Sequence, residues 1–595
     1  MEKFKEFANK YCLKELGIIG LVSLILYVLF YAKYNIYLVD VSREAYLPWQ
    51  VLKGQVLYKD IFNVYGPLGY QINAIAYAIL GVKLNTLYLM GFLNSLVILF
   101  TTFYIGRLFT DKKTAVCTSL LTLFVCVYAK NFFNFIFVYS YSAVYALSGF
   151  LLSLLAMLFY IRDKKNLYMT LSFFFAGFAF ANKIEYLPYF AFMFLCLPFL
   201  AKKDWKQYLY SFGAFMLMPV ISFGILFIQG VSIKDLVESS VLIKKLISSP
   251  VTNYFYYNFG LYFNPPMVWD GVRLLAAVLK TIIPFGLVLY GFNFLCKKRS
   301  SNKLLAVGTW LFAVVASVII LIDKYSMTYN MYAGLFAWVG LAMLVILPVV
   351  GVFCIYQFVK NKFDFSKIEL IDKMYMFMAA SAILVAIKGL FSIFLTCYGT
   401  FNLAALFLPF VMFFALYVPR ALKFIDKDVF CAVIRNLCVA VMIAFFVMAL
   451  YRIGEERYVA VDQPRGKIYM RNLYGNQNEL IEYIRNNTAK DAKVVTIPEG
   501  AIINFLAERD TDNRYYYLIP VNVDIFGEQK ILEDFKKNPP DYFLMTDLLY
   551  SVYKKGDFCA FAPSVCDFVK SDYKPVKKVN AAVSFTLYRY KNTTK

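Results

Sequence analysis

The densest gathering of reactive side chains lies in "DVSREAYLPWQVLKGQVLYKDIFNVYGPLGY", residues 40–70, directly after a wholly apolar run. Asp40, Glu44 and Asp60 supply carboxylates there, Arg43 a guanidinium and Tyr65 a phenol. A carboxylate can take a proton from a hydroxyl as a general base, and a guanidinium fork matches the geometry of a phosphate. The chain has no histidine. A Ser-His-Asp triad, an imidazole base and a His-ligated metal are therefore excluded, and acid or base chemistry falls to carboxylates, Tyr, Lys or Cys. With residues 40–47 helical, Arg43 and Glu44 stand three and four positions after Asp40 and share its face. Two more cations sit in apolar surroundings: Lys183 in "AFANKIEYLP", with Glu185 close by, and Lys388 in "AILVAIKGLFSIF". An ionisable group at such depth is costly, so each either has a function or snorkels to the interface. Lys183 has the further option of an ion pair with Glu185.

The elements that must position these groups are membrane spans. Of 595 residues, 61% are hydrophobic and 19% aromatic, far above the usage of an ordinary soluble chain. Apolar runs near the roughly 20 residues needed to span fall at 16–37, 84–106, 114–130, 141–161, 167–182, 186–201, 208–229, 275–295, 304–322, 330–356, 374–396, 402–419 and 430–451. The expected fold is a polytopic α-helical membrane protein of about thirteen spans. The formal charge of +23 does not point to nucleic acid, because the Lys and Arg residues form short clusters between spans rather than one basic face. Every second loop is basic: Arg107, Lys112 and Lys113; then Arg162, Lys164 and Lys165; later Arg420, Lys423 and Lys427. By the positive-inside rule the N-terminus is cytoplasmic in a plasma (inner) membrane. The loops 38–83 and 230–274 and the tail 452–595 then lie outside.

Within the first external loop Pro48 either opens a new helix or kinks the first, and Gly54 is a stop signal. "YGPLGYQINAIAYAILG" reads as a second amphipathic segment, which Asp60 either caps or leaves in order to touch substrate. The 230–274 loop carries "TNYFYYNFGLYFNPPMVWDG", an aromatic interface belt or a mobile lid. Residues 1–451 thus form a transmembrane domain. In residues 452–595 helix-like "NELIEYIRNN" alternates with strand-like "AKVVTIPEG", "RYYYLIP", "DYFLMTD" and "AVSFTLYRY", the pattern of a small extracytoplasmic α/β domain. Cys559 and Cys566 are candidate disulfide partners there.

A first span ending in Asp, the spacing D-x-x-R, then "GQVLYKD" and "YGPLGY" resemble the first external loop of the C-class (GT-C) membrane glycosyltransferases. The similarity is strongest to the family 39 group, which includes protein O-mannosyltransferases and the bacterial transferase that puts aminoarabinose on lipid A. The tail segment "VVTIPEGAIINFLAERDTDNRYYYL" is similar to tails of bacterial members. The resemblance implies a polyprenyl-phosphate-linked sugar as donor, a lipid, glycan or protein of the cell envelope as acceptor, and transfer at the outer face with inversion. It puts Asp40 at the family's catalytic aspartate and Arg43 at the arginine facing the donor phosphate. Lys183 matches a lysine that is also directed at the phosphate, with Glu44, Asp60, Glu185, Lys388 and Tyr65 as supporting groups. The chemistry suits the residues: a glycosidase needs a second carboxyl to protonate an alkoxide, whereas phosphate leaves as a stable anion.

Several positions depart from the family pattern. Val41 replaces an acidic residue, "VYSYSAVYAL" offers Tyr139, Ser140 and Tyr141 where an Asp is common, and Gly66 stands where the aminoarabinose enzyme has lysine. No cofactor is assigned; a divalent cation stays open, without a clear pair of acids to hold it. The sequence WWDYG, expected in an oligosaccharyltransferase of the same class, is absent, which argues against transfer of a whole glycan to Asn. The competing readings are a transporter or flippase of lipid-linked glycans, which would line a path of charges across the membrane, and a non-catalytic protein of the same fold. A cysteine label or reporter at residue 460 is expected to report the outside of the membrane; a cytoplasmic signal there would reverse the orientation and move the charged loop away from the external face.

Overall fold

The computed structural model describes residues 11–33, 40–63, 65–128, 134–200, 204–237, 331–387, 399–455, 458–471, 474–511, 513–550 and 556–591, with isolated helical positions between 266 and 315. The helical part runs as α1 (Leu13–Leu29), α2 (Asp40–Leu52), α3 (Leu68–Leu80), α4 (Leu84–Phe109), α5 (Lys112–Thr122, continued by a π-helical turn at Leu123–Val127) and α6 (Tyr141–Asp163). It continues with α7 (Asn166–Asn182), α8 (Leu187–Leu200), α9 (Trp205–Ile228), α10 (Met331–Lys360), α11 (Leu370–Ala386), α12 (Gly399–Ala421) and α13 (Lys427–Glu455). The expected spans at 275–295 and 304–322 fall almost wholly outside the described residues; each of the others overlaps one of these helices. Leu84–Phe109, Tyr141–Asp163, Trp205–Ile228, Leu403–Ala421 and Lys427–Val447 are long and apolar enough to cross a membrane.

Burial separates central from peripheral helices. On α6 nearly every residue is covered, whereas α9 leaves Leu209, Phe212, Leu217, Val220 and Ile228 exposed, as a lipid-facing helix does. Between α6, α7 and α8 small residues and hydroxyls do the joining. Ser153 and Ser172 each donate to the other's carbonyl at 2.7 Å, and Ser153 also meets the Tyr189 hydroxyl at 2.9 Å. A Cβ at Gly177 would collide with the Phe215 carbonyl of α9, so glycine lets α7 and α9 touch backbone to backbone.

Between α1 and α4 the chain folds into two helices, α2 and α3. Helix α2 runs through Pro48 rather than restarting there, and Gly54, at φ 92°, follows its end. Helix α3 stops at Gly81, whose N–H reaches Tyr77 O.

The tail forms a β1–β2 hairpin (Tyr458–Gln463, Gly466–Arg471) and a four-stranded sheet of order β3-β4-β6-β5. Its strands are β3 (Val494–Ile497), β4 (Tyr542–Thr546), β5 (Tyr573–Val579) and β6 (Phe585–Tyr590). The β3–β4 pair is parallel and the other two pairs are antiparallel. Helix α14 (Gln477–Asn487) is the helix read from "NELIEYIRNN", and α15 (Ala501–Ala507), α16 (Pro520–Phe526), α17 (Glu528–Lys537), α18 (Phe558–Phe561) and α19 (Pro563–Asp572) complete the domain. Three strand-like stretches are strands, but "RYYYLIP" is not. Tyr515 and Tyr516 are both buried. Their segment bonds locally: Tyr515 N–H donates to the Asn513 side chain, and Leu518 N–H to Pro498 O. Cys559 and Cys566 are bonded, with Cα atoms 5.2 Å apart.

This domain grips α2. The Tyr46 hydroxyl on α2 donates to Asp510 Oδ1 at 2.9 Å, lies 2.8 Å from Thr511 Oγ1 and accepts from Thr511 N–H at 3.1 Å. Lys53, near the end of α2, pairs with the other Asp510 oxygen. Arg465 from the hairpin lies 4.1 Å from the centre of the Trp49 ring and 5.0 Å from that of Phe505. Tyr46→Phe keeps the packing but strips a buried carboxylate and a buried N–H of a partner, a loss of about 1–3 kcal/mol. It is expected to lower the thermal unfolding midpoint of the purified protein by several degrees; an unchanged midpoint would mean that this contact does not hold the domain to α2.

Candidate functional site

Helix α2 begins at Asp40, so Asp40, Arg43 and Glu44 occupy its first turns as the sequence spacing requires. Glu44 is fully buried, and its destination is the start of α6. Its Oε2 accepts the Tyr141 N–H at 2.9 Å, and its Oε1 accepts from Arg43 Nε at 3.1 Å and from the Tyr70 hydroxyl at 3.2 Å. A carboxylate at a helix N-terminus is favoured by the unpaired N–H groups and the macrodipole. Burial pushes the Glu44 carboxyl up from its ordinary range, against the pull of Arg43 and of the Tyr141 N–H.

Arg43 is 5% exposed. Its Nη2 donates to Tyr139 O at 3.1 Å, and its guanidinium lies 4.7 Å from the centre of the Tyr65 ring and 5.4 Å from that of Tyr139. Burial opposes its charge, but Tyr70, Tyr65, Glu44 and Tyr139 around it outweigh that and hold the guanidinium firmly protonated.

Lys183 arrives from another part of the chain. It follows the last turn of α7, is 6% exposed, and its ammonium stands 5.9 Å from the centre of the same Tyr65 ring. The Tyr65 hydroxyl meets that of Tyr139 at 3.0 Å, and its carbonyl is held by Asn63 Nδ2 at 2.8 Å and by the Tyr58 hydroxyl. Arg43 and Lys183 therefore converge on one ring, with cation–π attraction to each. The next residue explains how the loop reaches α7: a Cβ at Gly66 would run into the Ala181 and Asn182 carbonyls. A lysine, which the sequence comparison would put here, has no room.

Other expected residues divide. Glu185 pairs with Lys183 at 3.1 Å, so the ion pair open from sequence is present. Asp60 closes the turn between α2 and α3 by accepting the Val56 N–H at 2.9 Å, and does not cap α3. Lys388 lies outside the described residues, as do Asp270 and most of the 230–274 loop. Among the described residues, no group of three or more Cys, Asp or Glu side chains stands together to hold a metal ion, and no metal step is derived.

Three tyrosines were not expected here. Tyr139 and Tyr70 bind Arg43 and Glu44 as described. Tyr516, from the C-terminal domain, is buried with its ring 6.0 Å from that of Tyr46 on α2, and that burial raises its phenol far above the ordinary value. The available signals were the aromatic density of "VYSYSAVY" and "RYYYL" and the helix-start residue Ser140, none of which names a partner nearly a hundred or more positions away. Chemically, the cluster is a pair of nearly buried cations on an aromatic platform at the end of the bundle where α2 begins. Such a pair suits an anion with an apolar attachment.

No protein-family model and no curated protein matches the chain. Among solved structures it is similar to the oligosaccharyltransferase AglB from Archaeoglobus fulgidus in complex with an inhibitory peptide and a dolichol-phosphate, at 13% identity and a TM-score of 0.46 over 99% of this chain and 75% of that one. It is also similar to ArnT from Cupriavidus metallidurans bound to undecaprenyl phosphate, at 9% identity and a TM-score of 0.43 over 97% of this chain and 98% of that one.

Proposed function

We propose that the chain transfers a sugar from a polyprenyl-phosphate donor to an extracytoplasmic hydroxyl. The observation that carries this reading is the meeting of Arg43 and Lys183 at the Tyr65 ring, beside the helix that opens at Asp40. In the reaction the acceptor oxygen bonds to the anomeric carbon from the side opposite the phosphate. The bond from that carbon to the phosphate oxygen breaks, its electron pair leaves with the polyprenyl phosphate, and the acceptor proton passes to Asp40. The configuration inverts. Arg43 and Lys183 stabilise the charge that grows on the leaving phosphate. Tyr65 and Tyr139 hold the guanidinium in place, and Glu44 fixes α2 to the start of α6. The donor sugar and the acceptor are not specified by these groups.

Lys183→Ala and Arg43→Lys are expected to raise the KM for polyprenyl-phosphate sugar and to lower kcat, because the contacts strengthen as the phosphate leaves. Arg43→Lys keeps the charge but loses the fork, so its fall measures geometry rather than charge. Steady-state kinetics with purified protein would check both; unchanged constants in both variants would remove the phosphate from this cluster.

Asp40→Asn keeps the shape and removes the basicity, which is expected to cost about 10²–10⁴ in transfer rate. Donor binding, measured separately, should persist. Near-normal transfer by Asp40→Asn together with an inactive Asp60→Asn would assign the base to the wrong carboxylate.

A further inference from the structure

The end of the bundle opposite the Arg43–Lys183 cluster holds a second charged site. Helix α5 and its π-helical turn lead from this end to the segment that starts α6, so the two sites are separated by the length of a span. Here the end of α4, the start of α5, the last turns of α12 and the start of α13 enclose a cavity of about 630 Å³, within the usual range for small-ligand sites of about 300–1,000 Å³. Its charged lining is Asp111, Lys112, Lys113, Lys427, Asp428 and Arg435, four cations against two carboxylates; Phe109, Ala415 and Leu416 supply an apolar wall.

The partners of these groups decide what the cavity can accept. Asp111 is used as the cap of α5, accepting from Lys113 N–H at 2.8 Å, Thr114 N–H at 3.1 Å and the Thr114 hydroxyl at 2.7 Å. Arg435 stands 3.5 Å from its Oδ2, and Lys112 pairs with Glu15 at 3.3 Å. Among the described residues, Lys113 and Lys427 have no ion-pair partner, and they flank the cavity from two helices far apart in sequence. Both α5 and α13 start at it, each capped by a carboxylate: Asp111 for α5 and, for α13, Asp426, which accepts from Asp428 N–H at 3.0 Å and Val429 N–H at 3.1 Å. With Lys112 and Arg435 already paired, Lys113 and Lys427 are the cations left to select an anion, and the apolar wall at the ends of spanning helices selects one that sits at a membrane surface.

We propose that this cavity binds the phosphate of an anionic phospholipid headgroup, with Lys113 and Lys427 as its ligands and Phe109 and Leu416 against the glycerol and upper acyl carbons. The site is independent of the sugar-transfer reading. Its place on the cytoplasmic side follows from the basic loops 107–113 and 420–427, which the fold brings together here.

The test titrates the purified full-length chain in neutral detergent with phosphatidylglycerol, phosphatidylcholine or inorganic phosphate, counting bound lipid by native mass spectrometry and following thermal unfolding. Phosphatidylglycerol is expected to bind and to raise the unfolding midpoint, with phosphatidylcholine much weaker. At about 1 kcal/mol for each lysine near a membrane surface, the double variant Lys113→Gln/Lys427→Gln should weaken phosphatidylglycerol roughly 30-fold. Arg162→Gln/Lys165→Gln, on another basic loop at the same end, should leave it unchanged. Competition by inorganic phosphate would support the site and show that a free phosphoryl group suffices to occupy it. Equal phosphatidylglycerol affinity in wild type and the Lys113/Lys427 variant would overturn the proposal, and so would equal weakening by the Arg162/Lys165 variant, since the effect would then be general surface charge.

Discussion

Two cations held on one aromatic ring at the edge of a membrane repel each other, and neither is fully solvated. At a separation on the order of 10 Å and an effective dielectric near 20, the repulsion is about 1–2 kcal/mol, before any cost of removing Arg43 and Lys183 from water. The surroundings of the cluster answer this constraint. Glu44 and Glu185 put a carboxylate beside each cation, and the faces of Tyr65 and Tyr139 add attraction without adding a formal charge. What remains is a cluster in which each cation has its own carboxylate and both lie against one ring.

The rest of the architecture around α2 keeps that cluster assembled. Glu44 ties α2 to the N-terminus of α6, Gly66 lets the loop lie against the end of α7, and Tyr46 and Lys53 tie α2 to Asp510 in the C-terminal domain. The C-terminal domain thus shares a hydrophobic core with α2 and α3 through Trp49, Tyr77 and Phe505. The boundary near residue 451 is a change of composition, while packing crosses it through α2. Tyr516, with its ring 6.0 Å from that of Tyr46, carries the same connection to α2.

What was legible in the sequence was what local spacing encodes. Apolar runs gave the helices, and D-x-x-R gave one helical turn, since three residues of separation on a helix is a statement about one face. The segment "RYYYLIP" misled because consecutive aromatic residues satisfy strand propensity while their hydrogen bonds go elsewhere; both Tyr515 and Tyr516 point inward, and Asn513 takes the N–H that a ladder would use. The destination of Glu44 was illegible for a different reason. Its spacing after Asp40 reads equally as catalysis or as support, and only the arrival of Tyr141 N–H, from ninety-seven positions along the chain, separates the two.

Gly66 shows how a departure from a family pattern can be a physical consequence rather than a loss. The loop backbone lies so close to the Ala181 and Asn182 carbonyls that any side chain at Gly66 must push α7 away. Moving α7 would also move Lys183, which follows its last turn. A lysine at position 66 and Lys183 in its present place therefore exclude each other in this chain. The close approach at Gly66 is what brings Tyr65, and so Arg43, within reach of Lys183.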